Sequence, residues 1–432
     1  MTIQKSQSPK ATPVTSLYLP KILQTRINGQ IPVILLSSGN LPITRMDFIY
    51  HAGSRYQTKA FRAFFTNLML PEGTRSHSAH EIAEMLDHYG SFMLPYHNRD
   101  QAGLTLYSLN KHLESSLRII IEVLEQPRFR EEELDVLKQN HLHQLAVEET
   151  RVEFIARKQL TRALFGAGHP YGMMGESTDI QSLNSDELKQ FHSSYYRGSN
   201  LSLLITSDRP QTAFEILDHH FRSSTVFNTT PPKPLLQPVP PNDPAAPGLQ
   251  QVTKKTGPVQ AAIYLGKPLF SRNHKDFQGM SILVTLLGGY FGSRLMQNIR
   301  EEKGYTYGIS AIMHSYLERG FLMISATVDV AYWKQTLAEC RKELEKLCHE
   351  KTGKFELETV RNYLSGELQR NLDGMFNQAN LVKTLWAHQL DEQWINDYLD
   401  LIHHISANTI QELACQYLDP GTMIEVAVTP DV

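Results

Sequence analysis

Residues Leu287 to Ala311 read LGGYFGSRLMQNIREEKGYTYGISA. Glycines 288, 289 and 292 open the stretch. A helix over Ser293–Glu302 follows and stops at Gly304, and β-forming residues begin a strand over Tyr307–His314. Upstream, IYLGKPLF is a strand and Phe277–Leu287 a helix. Downstream come a strand over Gly320–Val328, a long amphipathic helix over Ala331–Cys348, and the helix FELETVRNYLSGELQRNL. An earlier part of the chain has the same order. Strands over Ile31–Ser37 and Arg45–Ala52 lead to helices over Phe61–Leu70 and Ala79–Tyr89, the second ending at Gly90. Strands around Ser91–Pro95 and over Ala102–Leu109 follow, then helices over His112–Glu125 and Glu131–Leu164. Repetition at this scale predicts an internal duplication. Strands mixed with a few long helices predict an α+β fold of two homologous domains, each a mostly antiparallel sheet packed with long helices.

Between the halves lies TTPPKPLLQPVPPNDPAAPG, which holds eight of the chain's 22 prolines. Proline lacks an amide donor and resists helix and central strand, so this stretch reads as an extended linker that lets the halves form a clam-shell. The expected division is a tail over 1–18, a first domain over 19–228, a linker over 229–250 and a second domain over 251–432.

The chain has 432 residues, 42 Lys+Arg against 45 Asp+Glu, and a net charge of −3. Without a basic field, nucleic acid is not an expected partner. No run reaches the ~18 apolar residues of a membrane span. The N-terminus shows no apolar stretch before a small-residue cleavage site. Cys340, Cys348 and Cys415 are odd in number and form no C-x-x-C pair, which argues against a disulfide framework or a cysteine zinc site. A cytoplasmic protein is expected.

The strings HAGSRYQ, PEGT after an apolar helix, LFGAGHPYG and the 287–311 stretch together resemble the pitrilysin/insulinase family of zinc metallopeptidases, in the branch that includes mitochondrial processing peptidase. Catalytic members carry H-x-x-E-H on a first-domain helix, where two His at i and i+4 bind Zn²⁺ and the Glu activates the metal-bound water. A second Glu further along completes the metal shell. Here the helix reads AFRAFFTNLMLPEGT. Counting back from PEGT places Ala63, Thr66 and Asn67 at the motif positions, and counting back from LFGAGHPYG places Gln144 at the second Glu. That set has no imidazole and no carboxylate, so no metal and no catalytic residue is expected in this chain. In the second half, Arg300 and Tyr307 match the family's Arg/Tyr pair, which the resemblance places across a chamber from the metal as donors to a substrate backbone. Gly288, Gly289 and Gly292 resemble the glycine-rich stretch of non-catalytic subunits, a substrate-contact loop or a plain turn into a helix capped by Ser293.

The resemblance therefore implies a non-catalytic, substrate-binding subunit of a heteromeric zinc peptidase for short or unfolded peptides. Zinc is expected in a homologous H-x-x-E-H partner. A catalytically inactive scaffold or peptide-binding homodimer is the alternative. A third reading, a relocated metal site at His80, Glu84 and His88, is opposed by the capping box of Ser78 and Glu81 on a solvated helix face. His77 would lie off that face, and His141 and His143, two apart, point to different faces. His403 and His404 read as helix surface.

Overall fold

The computed structural model describes residues 17, 20–224, 227, 248, 250–257 and 260–430. Most of the tail and most of the linker fall outside the described residues. Leu17 packs on the core of the second half, and Gln250 already belongs to a strand.

The first half contains β1 (Ile22–Ile27), β2 (Ile31–Ser37), β3 (Ile43–Tyr50), β4 (Phe92–His97), β5 (Ala102–Leu109) and β6 (Leu201–Ser207). They form one sheet in the order β1-β2-β6-β3-β5-β4. Asn28 and Gly29, both at positive φ, make the tight β1–β2 turn. The second half contains β7 (Gln250–Lys255), β8 (Gln260–Leu269), β9 (Thr306–Ser315), β10 (Gly320–Asp329) and β11 (Ile424–Pro430), in the order β7-β11-β8-β10-β9. Set β1 aside, and the two orders are the same permutation. The single parallel pair is also equivalent, β2 with β6 and β7 with β11. The duplication is thus written in hydrogen bonding as well as in element order.

Alternation along the strands gives each sheet two apolar faces. In the first half Val33, Leu35, Met46, Phe48, Leu203 and Ile205 face a core made with α1 (Arg62–Leu68), α2 (Ala79–His88) and α3 (Leu113–Glu125). The helical region expected as one piece is two helices, α4 (Glu131–Glu148) and α5 (Val152–Phe165). The opposite sheet face, Ile34, Leu36, Ile49 and Leu204, is covered by Ala379 and Val382 of the Met375–Ala387 helix, which belongs to the second half. The exchange is reciprocal. Val152, Ala156, Leu160 and Leu164 of α5 cover Ala262, Ile424, Val426 and Val428 of the second sheet. Burying a side chain of this size is worth about 1.5–3 kcal/mol, so separating the halves would expose two cores at once.

Polar clasps reinforce this closure. Asp47, fully buried on β3, accepts two hydrogen bonds from Arg45 at 2.8 and 2.9 Å, one from Thr105 at 2.9 Å and one from Lys383 of the second half at 3.2 Å. Arg45 also donates to the carbonyl of Phe376 at 3.1 Å. Asp100 accepts from Tyr171 at 2.6 Å and from the backbone N–H of Leu317, across the interface, at 3.0 Å. Among the described residues no helix is long and apolar enough to cross a membrane.

Candidate functional site

Between the two clasps lies a cavity of about 1070 Å³. Its first-half wall is Phe61 and Phe64 from the start of α1, Leu94 to His97 of β4, His141 and Gln144 of α4, and Met173 and Met174. Its second-half wall is Ser315 to Leu317 and the Asn380–His388 region.

Of the four positions counted from the motif, Gln144 lines this cavity together with His141. The other three do not. Ala63, Thr66 and Asn67 are at most 2% exposed and belong to the interior of the first half. The Asn67 amide donates to the carbonyl of Tyr96 at 2.9 Å, and its oxygen accepts from the Tyr196 hydroxyl at 2.9 Å. Thr66 donates to the carbonyl of Arg62 at 2.8 Å. The cavity face of α1 is one residue out of step with the count from PEGT. It is carried by Phe64, whose ring lies 5.0 Å from His141 and 5.8 Å from His97, with half-buried Leu68 four residues on.

These residues do not fit zinc. A phenyl ring stands on the wall facing α4, Gln144 supplies a neutral amide, and Asp100 is consumed by Arg55, Tyr171 and Leu317. Among the described residues no three His, Cys, Asp or Glu side chains gather as a metal-binding group. His80 and Glu84 approach to 3.3 Å on open surface, while Glu81 is held in the capping box by Ser78 and His77 contacts Glu122 at 3.0 Å.

The cavity imidazoles are neutral. Burial, then the nearby Arg99 charge, lowers the pKa of His97 to about 4. Burial and Arg272 take His388 to about 4 as well. Nε2 of His97 and Nδ1 of His388 have no hydrogen-bond partner. Neither histidine was signalled by sequence spacing. They come from an edge strand and a distant helix end that only the closure of the halves brings to one cavity.

Arg300 and Tyr307 lie elsewhere. Tyr307, on β9, is 89% exposed. Arg300 stacks over Phe291 at 4.8 Å and pairs with Glu301 at 3.5 Å. Neither lines the cavity. Wide π-type turns span Thr285–Gly289 and Met296–Glu302, at the very stretch read as a glycine loop and a regular helix. Ser293, expected to cap, has a buried hydroxyl without a partner.

Gly288, Gly289 and Gly292 do not adopt positive φ. Gly288 is a packing glycine. A Cβ there would sit 2.6 Å from the backbone nitrogen of Ala311 and 2.7 Å from its Cβ, so only hydrogen lets this turn lie against β9. Gly289 and Gly292 are exposed, and their nearest neighbours are the Thr285 and Tyr290 side chains. Gly288→Ala is expected to destabilise the fold by about 1–3 kcal/mol through overpacking against backbone. Gly289→Ala should have a smaller effect, since Thr285 can yield. Urea denaturation of the two variants checks the order.

Comparison with known proteins gives a consistent picture. The family described as Insulinase (Peptidase family M16) matches residues 33–173, and the one described as Peptidase M16 inactive domain matches residues 182–364. A Bacillus subtilis chain named an uncharacterized zinc protease is 24% identical over 328 residues, covering 74% of this chain and 77% of its own. A Helicobacter pylori chain named a non-peptidase homolog is 22% identical over 356 residues, covering 78% of each. The crystal structure of a peptidase M16 inactive domain from Pseudomonas fluorescens superposes with a TM-score of 0.86 at 22% identity, covering 95% of this chain and 98% of that one.

Proposed function

The chain belongs to the M16, insulinase-like peptidase family as a catalytically inactive member, and on that footing we propose that it is the substrate-binding subunit of a heteromeric zinc peptidase. A homologous chain with an intact H-x-x-E-H supplies zinc and the general base. This chain supplies Arg300 and Tyr307 as donors to the substrate backbone in the partner's site, and a surface for an extended, unstructured peptide.

The observation that carries the reading is a contrast. The cavity of this chain is walled by Phe61 and Phe64 where a metal would need ligands. The Arg300–Tyr307 region remains outward, with Tyr307 89% and Phe291 60% exposed. An exposed phenol and a half-buried guanidinium, held at the surface by Phe291 and Glu301, are accessible to another chain. Both β4 and β9 end their sheets, each pairing with one neighbour. Phe92 and Leu94 on β4 and Ile312 on β9 are exposed apolar residues on these edges. Open apolar edges are normally blunted, and an added peptide strand covers them with main-chain hydrogen bonds that select little by side chain.

The test is reconstitution with a homologous H-x-x-E-H chain and a fluorogenic unstructured peptide. Cleavage is expected from the pair and not from this chain alone. Arg300→Ala combined with Tyr307→Phe is expected to lower kcat/KM of the pair by about 10²–10³, the usual cost of lost donors to a developing oxyanion. A pair indifferent to both changes removes the assigned roles.

A further inference from the structure

Cys348 ends the Trp333–His349 helix and Cys415 lies in the Ala407–Tyr417 helix, 67 residues later. No sequence spacing links them, but the packing of the two helices does. The Cys415 thiol donates to the backbone carbonyl of Cys348 at 2.9 Å, which sets the two cysteines side by side. Gln411, one turn before Cys415, holds the same carbonyl at 3.0 Å. Cys415 is exposed and Cys348 half-buried, so the pair is open to small molecules on one side. Cys340, in the same helix as Cys348, is fully buried in the core.

We propose that Cys348 and Cys415 are a redox pair that a low-molecular-weight disulfide such as oxidised glutathione converts to an intrachain disulfide. The Cys415 thiolate attacks the small disulfide, forming a mixed disulfide and releasing one thiol. Cys348 then loses its proton and displaces the second thiol from Cys415. One S–S bond is broken and one formed. The protein gives up two protons and two electrons, and two small thiols carry them away. Exchange starts at Cys415 because it is the exposed partner. Burial, followed by the neighbouring Cys415, pushes the Cys348 thiol up to about 11, with Asp419 and Glu345 adding to the effect, so Cys348 is the slower, resolving thiol. The Lys267 ammonium, also beside Cys348, donates to the carbonyl of Tyr417 at 2.9 Å, fixing the end of the second helix. Closing the bond ties two helices of the second half together. The first of them also carries Glu343, which accepts from Asn298 at 2.7 Å, two residues from Arg300.

The test treats the reduced full chain with oxidised glutathione and alkylates it after denaturation. Mass spectrometry is expected to show a loss of two hydrogens and one alkylatable cysteine, Cys340, in place of three. The thermal midpoint should rise by roughly 5–10 °C, reversibly with dithiothreitol, as expected for a bridge closing a loop of this length. Cys415→Ser should keep two alkylatable cysteines, Cys348→Ala should trap the glutathione mixed disulfide at Cys415 and keep only Cys340 alkylatable, and neither should show the rise. In the unaltered chain, three alkylatable cysteines after treatment, a lasting glutathione adduct at Cys415, or cross-links only between chains would each overturn the proposal.

Discussion

A variant carrying Phe64→His, Leu68→His and Gln144→Glu is expected to bind zinc, and one carrying Ala63→His, Asn67→His and Gln144→Glu is not. Both sets have the i, i+4 imidazole spacing and one carboxylate, so sequence pattern alone does not separate them. The structure does. Phe64 stands on the cavity wall beside His141, on the side of Gln144, and Leu68 continues that helix face. Ala63 and Asn67 point into the packed interior of the first half. An imidazole at 63 overfills that core, and one at 67 also breaks the bonds to Tyr96 and Tyr196. The first variant should hold one zinc with a dissociation constant on the order of 1 μM or tighter, read by calorimetry and by metal analysis after gel filtration. Because Asn67 stays in place between the two new imidazoles, no general base is supplied and hydrolysis is not expected. Zinc in the second variant, or in neither, would show that the cavity wall has been placed on the wrong face of the helix.

The one-residue displacement shows what could be read from this sequence and what could not. The absence of His and Glu near PEGT is a matter of composition and holds in either register. The phase of a seven-residue helix is a matter of packing. AFRAFFTNL has apolar residues on every side, so periodicity gives no inward direction, and the core settles the choice by taking Ala63 and Phe65 and leaving Phe64 to the cavity. The glycines are similar. The pattern announces close approach at 288, 289 and 292, but only the position of β9 says that Gly288 makes room for Ala311 and not for a peptide.

The fold was legible to a comparable depth. β2 and β5 span the residues read as strands from the sequence, and the repeated order of elements anticipated two equivalent sheets. The strands that close each half were not anticipated. LSLLITS and IEVAVTP are short apolar runs, and β6 and β11 each insert in the sheet between strands distant in sequence. A buried strand lacks polar alternation, and nothing local encodes its neighbours. The reciprocal exchange of α5 and the Met375–Ala387 helix was hidden for the same reason. Each helix has an apolar surface that reads as a partner for its own sheet, and only topology assigns it to the other.

Acidification from pH 7 to pH 5 is expected to remove about 5–6 kcal/mol of stability through three histidines, His97, His192 and His388. Burial is the leading cause at each, and the pKa is about 4 in every case against an ordinary 6.5. At His192 the hydrogen bond to the Leu124 carbonyl opposes the shift and Arg197 adds to it. The folded protein therefore keeps these rings neutral while the unfolded chain protonates them below pH 6.5. The unfolded state binds more protons throughout the window from 6.5 to 4, so stability falls as pH falls and is recovered above 6.5. Each ring contributes about 2 kcal/mol between pH 7 and pH 5, a large share of the ~5–15 kcal/mol typical of a folded domain. Two of the three line the cavity between the halves, at β4 and at the end of the Met375–Ala387 helix. Their protonation places positive charge beside Arg99 and Arg272. Urea denaturation at pH 7 and pH 5 measures the loss. His97→Gln and His388→Gln should each reduce the difference between the two pH values by about one third, because an amide of similar size does not titrate. If both variants keep the parent's full pH dependence, other groups carry it and the neutral-imidazole account of the cavity fails.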